Sequence, residues 1–556
     1  MRPLKLYIIS FLLLLVTVLQ AQNASAPKYE YRAVWLTTIE NLDWPKSLVK
    51  SKEDVERQQK ELCVILDSLH ELNINTVLLQ TRVRGDVIYP SSIEPFSHVL
   101  TGVEGKSPGY DPLAFAIEEC HKRGMQLHAW LVTLPLGKDE HIKRQGKQAL
   151  SRKRKELCTH YKGAWYMEPG NPGTAEYIVE LVEEIVSKYD VDGIHLDYVR
   201  YPDRTNGYPD SALYRKYSKR MSLADWRRSN ITAIVELVYK SVKAKKPWVR
   251  VSSAPLGKYD DLTRYSSLGW DAYNAVYQEA QKWMKDGVMD ALFPMLYFNG
   301  NNFYPFVLDW CENSYGRHIV PGVGIYRLSP QYGGWDEIEI ERQFRTSRGA
   351  GSAGVALFRA AHVLGNAGGA RNVVVDVYNE KALVPPMPWW GTEPARPQIS
   401  VAARDEDGIS LEWGKVSADD NFPAVRYNVY GALGDTVDIS NVQNMLVHSL
   451  ADTLFRWDCR SLATLTVAVT AVNACGVESG PVMVTFTGKT QLADVVELPA
   501  SRSWGQRIEV VDMSGRRIYY GKYSRKVDMR GVPHGCYILN VYNRHGSRIS
   551  TQRVFH

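Results

Sequence analysis

Short apolar runs alternate with helix-like stretches from residue 31 to about residue 378, and this alternation limits the possible folds more than any other feature. Eight of the runs have the length and side-chain content of buried strands: residues 33–37, 76–81, 126–132, 193–198, 250–253, 291–297, 319–324 and 354–358. Helical periodicity between them covers residues 53–72, 112–123, 173–188, 212–245, 273–285 and 337–348. Eight strand–helix units predict an α/β fold, the (β/α)8 TIM barrel.

A doubly wound open sheet is the main alternative to this barrel. Such a sheet usually has a glycine-rich phosphate turn after its first strand, and residues 35–38 (WLTT) contain no glycine. The chain also lacks a Gly-X-Ser-X-Gly nucleophile elbow and a Walker phosphate loop. The sequence therefore favours neither a serine hydrolase nor a nucleotide-driven enzyme.

The fourth predicted strand presents the strongest candidate for a catalytic residue. In the run from Asp192 to Pro202 (DGIHLDYVRYP), His195 and Asp197 share one face at a spacing of two, and Arg200 follows. A barrel places the end of this strand at its C-terminal mouth, where such folds keep their chemistry. An isolated Asp here more often caps the next helix, but the grouping with His195 and Arg200 favours an active-site role for Asp197.

Hydrolysis of a glycosidic bond needs two carboxyl groups, so a partner for Asp197 must come from another strand. Asp86, in the loop after the second strand, is the first choice. Asp86 could instead pair with Arg82 or with another arginine of that loop, and the sequence leaves both options open. Glu40 and Asp43, after the first strand, are weaker candidates because acids in loops are usually solvated.

Six side chains at or near strand ends are predicted to bind sugar or to tune the carboxyl pair: Arg82, His128, Trp130, His195, Arg200 and Tyr297. A hydrogen-bonded core histidine is the alternative interpretation of His128. Asp290 precedes the sixth strand and is expected at the opposite, stabilising end of the barrel. Residues 126 and 130 are Gln and Trp, and no second strand carries His-X-His, so the sequence predicts no metal site. No cofactor is expected either.

Composition argues against nucleic acid as a partner and favours sugar. The net charge is +6, but the basic residues are spread among 61 acidic ones. The richest basic cluster, residues 143–155, is predicted to be one amphipathic surface helix. The 15 Trp and 32 Tyr suit a protein that stacks sugars on ring faces, although most of them will fill the core.

The N-terminus has the pattern of an export signal. Arg2 and Lys5 precede an apolar stretch at residues 8–18, and residues 20–22 (QAQ) provide a small-residue cleavage region. The stretch is too short for a membrane span, and no later segment is apolar enough to be one. We expect a signal peptide at residues 1–22 and an exported protein, placed in the periplasm, on the cell surface or outside the cell.

The barrel is assigned to residues 28–383 and is followed by a linker rich in Pro and Trp at residues 384–393. Residues 394–488 hold short alternating strands, and the segments 410–413 (SLEW), 427–430 (YNVY) and 471–479 resemble a fibronectin type III domain. Residues 495–556 form another small β unit that resembles the C-terminal sorting domains of secreted Bacteroidetes proteins. That resemblance implies contact with secretion machinery; a plain accessory β domain is the alternative.

Eight ordered segments between residues 30 and 360 carry a more specific resemblance. They are 32–37 (RAVWLT), 41–45 (NLDWP), 80–91 (QTRVRGDVIYPS), 108–113 (PGYDPL), 121–131 (HKRGMQLHAWL), 169–172 (PGNP), 192–202 (DGIHLDYVRYP) and 225–228 (DWRR). In this combination the chain resembles the glycosyl hydrolase-like 10 family, a former domain of unknown function. The resemblance implies a TIM-barrel glycosidase of the bacterial envelope or exterior, in a family with one branch associated with peptide-free peptidoglycan strands.

Two departures from the family pattern lie at the predicted mouth. Many members have a second Asp where this chain has Tyr198, and many have Asn-Pro where this chain has Val132 and Thr133. The role of that second Asp therefore does not carry over to this chain.

Together these observations predict an exported glycoside hydrolase that uses Asp197, as nucleophile or general base, and Asp86 on a bacterial envelope or environmental glycan. The expected partner is the glycan itself. The alternative is a non-catalytic carbohydrate-binding protein on a glycosidase-like barrel. Tyr198 favours this alternative, and so does the absence of an acid from residues 252–255 (SSAP) at the end of the fifth strand.

Overall fold

In the computed structural model, the described residues are 26–555 apart from 204, 406–407, 418–424, 460–463, 488–494, 498–506, 513–514, 525, 530–531, 533–535 and 544–545. The predicted signal peptide, residues 1–22, lies outside the described residues. Within the described ranges, every helix is too short or too polar to cross a bilayer.

Eight parallel strands close into a barrel, which confirms the predicted fold class. They are β1 Tyr31–Leu36, β2 Thr76–Arg82, β3 Gln126–Val132, β4 Gly193–Asp197, β5 Arg250–Ala254, β6 (Ala291–Leu292 and Met295–Leu296), β7 (His318–Ile319 and Gly322–Val323) and β8 Gly354–Leu357. Each strand pairs with the next, and β8 pairs with β1 to close the ring. Pro294 and Pro321 lie in the gaps of β6 and β7, because proline has no N–H to donate to the ladder.

A helix follows each barrel strand. The helices are α1 Lys52–Glu71, α2 Pro112–Lys122, α3 Pro172–Lys188, α4 Leu223–Lys245, α5 Ala280–Lys285, α6 Tyr304–Glu312, α7 Glu337–Gly349 and α8 Ala370–Val377. The starts of α2 and α3 follow from the local sequence, since Asp111 and Asn171 accept hydrogen bonds from amides of the first turn. A proline follows each of these two caps, where its fixed φ suits the helix and its missing N–H costs nothing.

Two predicted helices are broken in the structure. The predicted helix over residues 212–245 is a short helix, Ser211–Tyr217, followed by α4. Lys219 and Arg220 lie between them with left-handed φ values of 48° and 69°, which end any α-helix. The predicted helix over residues 273–285 is likewise divided into Ala272–Ala275 and α5.

Between β3 and α3 the chain makes an excursion at the C-terminal mouth of the barrel, and we call residues 133–171 the flap. It holds a three-stranded antiparallel sheet and two short helices: Pro135–Lys138, Cys158–Tyr161 and Ala164–Met167, with Asp139–Gln145 and Leu150–Lys153. The prediction of one helix over residues 143–155 is wrong, because Gly146 at φ 58° ends the first helix.

The main apolar core lies between the barrel strands and the surrounding helices. A second cluster fills the barrel itself with inward-facing side chains from most of the strands, among them Trp35, Leu78, Phe293 and Val320. The barrel is therefore a packed core, and open space is left only where the strands end.

The N-terminal ends of the strands form the base of the barrel, and the linker closes it. Asp290 lies there, as predicted, fully buried. Trp389 of the linker donates its indole N–H to Asp290 at 2.9 Å, and Arg250 donates to the carbonyl of Pro385 at 2.8 Å. Met387 packs against Cys475 of the following β region, so the linker connects the barrel base to that region.

Small antiparallel sheets follow the barrel, as predicted. One group has a three-stranded and a four-stranded sheet around a common core: β9 Gln398–Arg404, β10 Ile409–Gly414, β11 Arg426–Leu433, β12 Met445–Leu450, β13 Leu454–Trp457, β14 Leu465–Val472 and β15 Val482–Phe486. The strand orders are β9-β10-β13 and β12-β11-β14-β15. A second group comprises β16 Val495–Glu497, β17 Arg507–Asp512, β18 Arg517–Lys522, β19 Lys526–Asp528, β20 Cys536–Tyr542 and β21 Arg548–Phe555.

Candidate active site

The mouth of the barrel opens into a cleft of about 620 Å³. Ends of barrel strands form its floor, and the flap contributes part of its wall. The described residues that contribute side chains with rings or charges include Trp35, Arg84, Trp130, Lys138, Tyr161, Lys162, Trp165, Tyr166, Asp197, Tyr198, Arg200, Tyr201, Asp203, Tyr297, Phe358 and Arg359. The C-terminal mouth is where barrels of this class hold their catalytic groups.

Asp197 is the last residue of β4 and is only 4% exposed. Trp130 donates its indole N–H to Oδ2 at 3.0 Å, and the backbone N–H of Tyr198 donates to Oδ1 at 2.7 Å. Burial raises the pKa of Asp197 to about 6, against the opposing charge of Arg200 and these two hydrogen bonds. A carboxyl group with this pKa carries a proton for part of the time near neutral pH, so it suits a general acid.

The turn after β4 holds this carboxylate in place. Tyr198 has a φ of 51°, which is rare for a residue with a large side chain. This conformation directs the Tyr198 N–H back to the side chain of the preceding residue. The backbone carbonyl of Asp197 accepts from the N–H and the hydroxyl of Thr133, at 2.9 and 2.8 Å. Asp197 is thus positioned through both its main chain and its side chain.

Arg200 links Asp197 to a second acid of the cleft. Its Nη1 lies 2.7 Å from Oδ1 of Asp203, and its guanidinium carbon lies 4.6 Å from the centroid of the Tyr198 ring. The Arg200 charge also favours the ionised form of Asp197. Among the residues that the structure describes, Asp197 and Asp203 are the carboxylates that line the cleft.

Aromatic rings form much of the floor. Tyr297 and Phe358 stack with centroids 5.2 Å apart, and Trp35 meets them edge-on at 6.5 and 5.9 Å. Burial and the charge of Asp197 raise the pKa of Tyr297 well above its usual value, so its hydroxyl keeps its proton. The flap adds Trp165 and Tyr166. Such ring faces suit the C–H faces of sugar rings.

His195 supports the floor from below and does not line the cleft. It accepts the indole N–H of Trp35 at Nε2, 3.2 Å away, and its Nδ1 lies 2.9 Å from the hydroxyl of Ser252. Burial lowers the pKa of His195 to about 3, so the ring is neutral at physiological pH. It therefore positions Trp35 as a neutral hydrogen-bonding group.

Ten residues were candidates on sequence grounds, and the structure divides them into two sets. Four line the cleft: Asp197, Trp130, Arg200 and Tyr297. Six do not: Asp86, Arg82, His128, His195, Asp43 and Glu40. Their sequence neighbours are close to the mouth in several cases, but their own side chains are directed elsewhere.

Two of the six are held by partners inside the protein. Arg82 is buried and donates to both carboxylate oxygens of Glu94, at 2.7 and 2.6 Å, so its guanidinium is not available to a sugar. His128 is fully buried within the barrel, with Nε2 at 3.3 Å from Gln126, and its ring packs against Gly193. It is the core histidine of the alternative interpretation.

The acids after β1 and β2 are also directed away from the cleft. Asp43 is buried and accepts from the N–H and hydroxyl of Thr37, and it pairs with Arg359. Glu40 is largely exposed and lies 3.8 Å from Arg84. Asp86 is fully buried with Oδ2 at 3.3 Å from His141, so it cannot be the second carboxylate of this cleft.

Sequence reasoning missed the aromatic residues of the flap. The sequence does contain a signal for the hairpin that carries them, since residues 158–167 (CTHYKGAWYM) form two short strand-like runs on either side of a Lys-Gly pair. Lys162 and Gly163 take φ values of 48° and 77°, as a two-residue hairpin turn requires. Asp203 was also missed, although it follows Arg200 by three residues.

The chain is similar to known proteins in both sequence and structure. The model of a family described as Glycosyl hydrolase-like 10 matches residues 30–330. Glycosyl hydrolase YngK of Bacillus subtilis is 32% identical over 70% of this chain and 80% of its own length. Glycosyl hydrolase DigH of Escherichia coli K12 is 33% identical over 50% of this chain and 67% of its own. The glycoside hydrolase domain of PgaB (BpsB) from Bordetella bronchiseptica aligns with a TM-score of 0.43 at 15% identity, over 63% of this chain and 99% of that one.

Proposed function

Because this chain belongs to the glycosyl hydrolase-like 10 family, we propose that it is a glycoside hydrolase whose general acid is Asp197. The observation that carries the proposal is one buried carboxyl group at the barrel mouth, with a pKa near 6 and an aromatic floor around it. This revises the role predicted from the sequence, where Asp197 was nucleophile or general base. Burial favours the protonated form, and a protonated carboxyl is what a departing sugar oxygen needs.

Asp203 is the proposed second carboxylate of the reaction. Asp197 gives its proton to the glycosidic oxygen, the bond from that oxygen to the anomeric carbon breaks, and the leaving sugar departs as an alcohol. A water molecule adds its oxygen to the anomeric carbon and gives a proton to Asp203. Arg200, which pairs with Asp203 and acts on Asp197, limits the repulsion between the two acids.

The charges of the cleft support a substrate that carries carboxylates. Five cationic side chains line the cleft, Arg84, Lys138, Lys162, Arg200 and Arg359, and two of them, Arg200 and Arg359, form close ion pairs with Asp203 and Asp43. Removal of the peptide from a peptidoglycan strand exposes a lactyl carboxylate on every second sugar. We therefore propose peptide-free peptidoglycan strands as the substrate, bound by ring faces on the aromatic floor and by cations at the lactyl groups.

The proposed cellular context is the bacterial exterior or periplasm, reached through the signal sequence at residues 1–22. The three-plus-four arrangement of strands β9 to β15 supports a fibronectin type III-like module next to the barrel. The last sheets are proposed to engage secretion machinery. Deletion of residues 495–556 in the native host, followed by immunoblotting of the periplasm, surface and medium, tests this: an unchanged distribution refutes it.

The catalytic proposal is tested by replacing Asp197 with Asn in the mature chain. Products released from peptide-free strands, peptide-bearing strands and a neutral polysaccharide are measured by mass spectrometry. We expect cleavage of the peptide-free strands and a loss of about 10²- to 10⁴-fold in kcat for Asp197→Asn. Asp190→Asn is the matched control, because Asp190 is exposed near the other end of the same strand. An active Asp197→Asn variant refutes the role of Asp197.

Wild-type binding without any product, seen by calorimetry on the same strands, instead favours the non-catalytic carbohydrate-binding alternative.

The second acid has a test of its own. We expect Asp203→Asn to lower kcat and to be partly rescued by azide, a small anion that can replace water at the anomeric carbon. A wild-type rate in Asp203→Asn would move the second role to another group, such as the acetamido oxygen of the substrate.

A further inference from the structure

A second cluster of ionisable side chains lies outside the cleft, formed by Asp86, His98, Glu104 and His141. One nitrogen or carboxylate oxygen from each residue lies within 4.8 Å of the corresponding atoms of the other three. None of the four lines the cleft, so this cluster is separate from the proposed catalytic groups. Nothing in the proposed hydrolysis uses it.

Burial makes these carboxylates unusual. Asp86 is fully buried, and the side chain of Glu104 is 8% exposed. No well-directed hydrogen bond reaches either oxygen of either carboxylate or Nδ1 of His98, although imidazole nitrogens lie 3.1 Å from Oε1 of Glu104 and 3.3 Å from Oδ2 of Asp86. An ionised carboxylate in such a place is costly unless a cation or several donors compensate it. Four such carboxylate oxygens occur together in this one cluster, and they therefore point to a bound cation.

Protein cations do not fill this place. Arg144 has its Nε 3.8 Å from Glu104 and its Nη2 3.2 Å from Nδ1 of His141, but half of its side chain is exposed. It can turn to solvent when another cation binds. Arg82 acts on Asp86 only at a distance, because its guanidinium is bound to Glu94.

The distances suit a small divalent ion with tetrahedral coordination. Oε1 of Glu104 lies 3.1 Å from Nδ1 of His98, and Oδ2 of Asp86 lies 3.3 Å from Nε2 of His141, the nitrogen that would bind the ion. Nδ1 of His141, 3.7 Å from Oε1 of Glu104, would then carry the ring proton, and Nε2 would give up its contact with the Arg84 carbonyl at 3.0 Å. Zinc bonds of about 2.0–2.1 Å hold neighbouring ligand atoms roughly 3.4 Å apart. Two neutral imidazoles and two carboxylates also balance a charge of +2, and zinc accepts both kinds of ligand.

The backbone around the cluster leaves room for its histidine. Gly137 has a φ of 100°, and a Cβ at that position would lie 2.9 Å from the His141 ring. Asp86, His98 and Glu104 belong to the loop between β2 and α2, whereas His141 belongs to the flap helix Asp139–Gln145. The four ligands thus connect two segments that are distant in sequence.

We propose that Asp86, His98, Glu104 and His141 form a structural zinc site that fastens the β2–α2 loop to the flap. Four protein ligands leave no open position for a substrate, so the ion stabilises and does not catalyse. Arg84 and Lys138 lie within three residues of the ligands Asp86 and His141 and line the cleft. The ion therefore holds one wall of the cleft together. The sequence prediction of no metal considered ligands on strands, whereas three of these ligands come from a loop and one from a short helix, without regular spacing.

The test uses the mature full-length chain, stripped with EDTA and titrated with zinc chloride by calorimetry. We expect one zinc ion per chain, also found by elemental analysis of protein purified without chelator, and a higher thermal unfolding midpoint with zinc than with EDTA. The double variant Asp86→Asn and His141→Gln should lose more than about 100-fold in zinc affinity. His121→Gln is the matched control, because His121 pairs with one acid, Asp192, but has no second histidine ligand.

A measurement on the wild type keeps the test decisive if the double variant does not fold. Cobalt(II) added to the stripped wild-type protein should give the strong visible absorption of a tetrahedral N/O site, and zinc should displace it. Absence of stoichiometric zinc in both the purified and the titrated wild type overturns the proposal. Zinc affinity that is equal in the wild type and in a folded double variant also overturns it.

Discussion

Two buried carboxylates at opposite ends of the same barrel have contrasting environments. Asp290, at the base, lies 2.6 Å from the ammonium group of Lys243 and accepts hydrogen bonds from Val251, Tyr239 and Trp389. Asp197, at the mouth, accepts two hydrogen bonds and forms no ion pair with any residue that the structure describes, and burial raises its pKa to about 6. Both are at the ends of strands, and both are almost inaccessible to water.

The contrast separates a structural acid from the acid that is proposed to react. Asp290 is neutralised by a buried cation and is surrounded by donors, so it seals the base beneath the linker. Asp197 has been left with fewer donors than its charge requires, in a place that opens to the cleft. A protein can tolerate such a group because the rest of the barrel supplies the stability that this residue lowers. We therefore expect the two acids to respond differently to the same substitution.

The largest expected effect is on stability at the base. Asp290→Asn leaves Lys243 buried without its counter-charge, and we expect the free energy of unfolding in urea to fall by about 3–5 kcal/mol. Turnover per folded molecule should be unchanged. Asp286→Asn is the control, since its ion pair with Lys282 is exposed and should be worth less than about 1 kcal/mol. If Asp290→Asn lowered the free energy of unfolding by less than about 1 kcal/mol, Asp290 would not have the structural role that distinguishes it from Asp197.

The next effect is a pH dependence of the free energy of unfolding, which arises from Asp197 at the mouth. The pKa of Asp197 is about 6 in the folded protein and 3.8 in the unfolded chain, so the folded state holds its proton more tightly. Stability is therefore lost as pH rises from about 4 to about 6. The difference of about two pH units corresponds to roughly 3 kcal/mol.

Asp197→Asn removes this titration. Its stability relative to the wild type should rise by up to about 3 kcal/mol between pH 3 and pH 7, measured by urea unfolding at both pH values. The amide NH2 of the variant would face an N–H donor of Trp130 or Tyr198, and this contact lowers stability by an amount that does not depend on pH. Comparing the change in unfolding free energy between the two pH values cancels that amount. A difference between variant and wild type that stays constant with pH would contradict the raised pKa.

The smallest effect sharpens the assignment of the acid. If protonated Asp197 is required, kcat/KM should fall as pH rises through about 6. Trp130→Phe removes a hydrogen bond that favours the ionised form, so the pKa should rise and this descending limb should move up by as much as about one pH unit. Trp165→Phe, on the flap, changes the cleft without touching Asp197 and should leave the limb in place. A downward shift in Trp130→Phe would show that another group titrates.

The barrel was accessible to sequence reasoning because its signals are local. Alternation along β4 placed Asp197 at the strand end, and the residue order placed Asp290 at the base. The split of β6 and β7 was also readable in principle, from Pro294 and Pro321. The flap was harder, since its three short strands lie between longer helical stretches and only the Lys162-Gly163 turn marks them.

Contacts between side chains that are distant in sequence could not be predicted from local signals of this kind. Asp86 was chosen as the second carboxylate because its loop reaches the mouth, yet its side chain turns toward His141. Arg82 and Asp43 were candidates for sugar binding, but Glu94 and Arg359 hold them. Asp203 was not a candidate at all, and in the structure it lines the cleft with its side chain half-exposed.

Strand periodicity, helix caps and the order of apolar runs specified a barrel with one acid at its mouth, since these patterns depend on neighbours within a few residues. Which of the candidate side chains line the cleft, which charges are neutralised inside the wall, and which rings form the floor were decided only when the chain closed. Those outcomes depend on side-chain direction and on contacts between residues tens to hundreds of positions apart, such as Trp35 with Phe358. Burial then raised the pKa of Asp197 above that of an ordinary aspartate, because desolvation is a property of the packed structure and not of the residue.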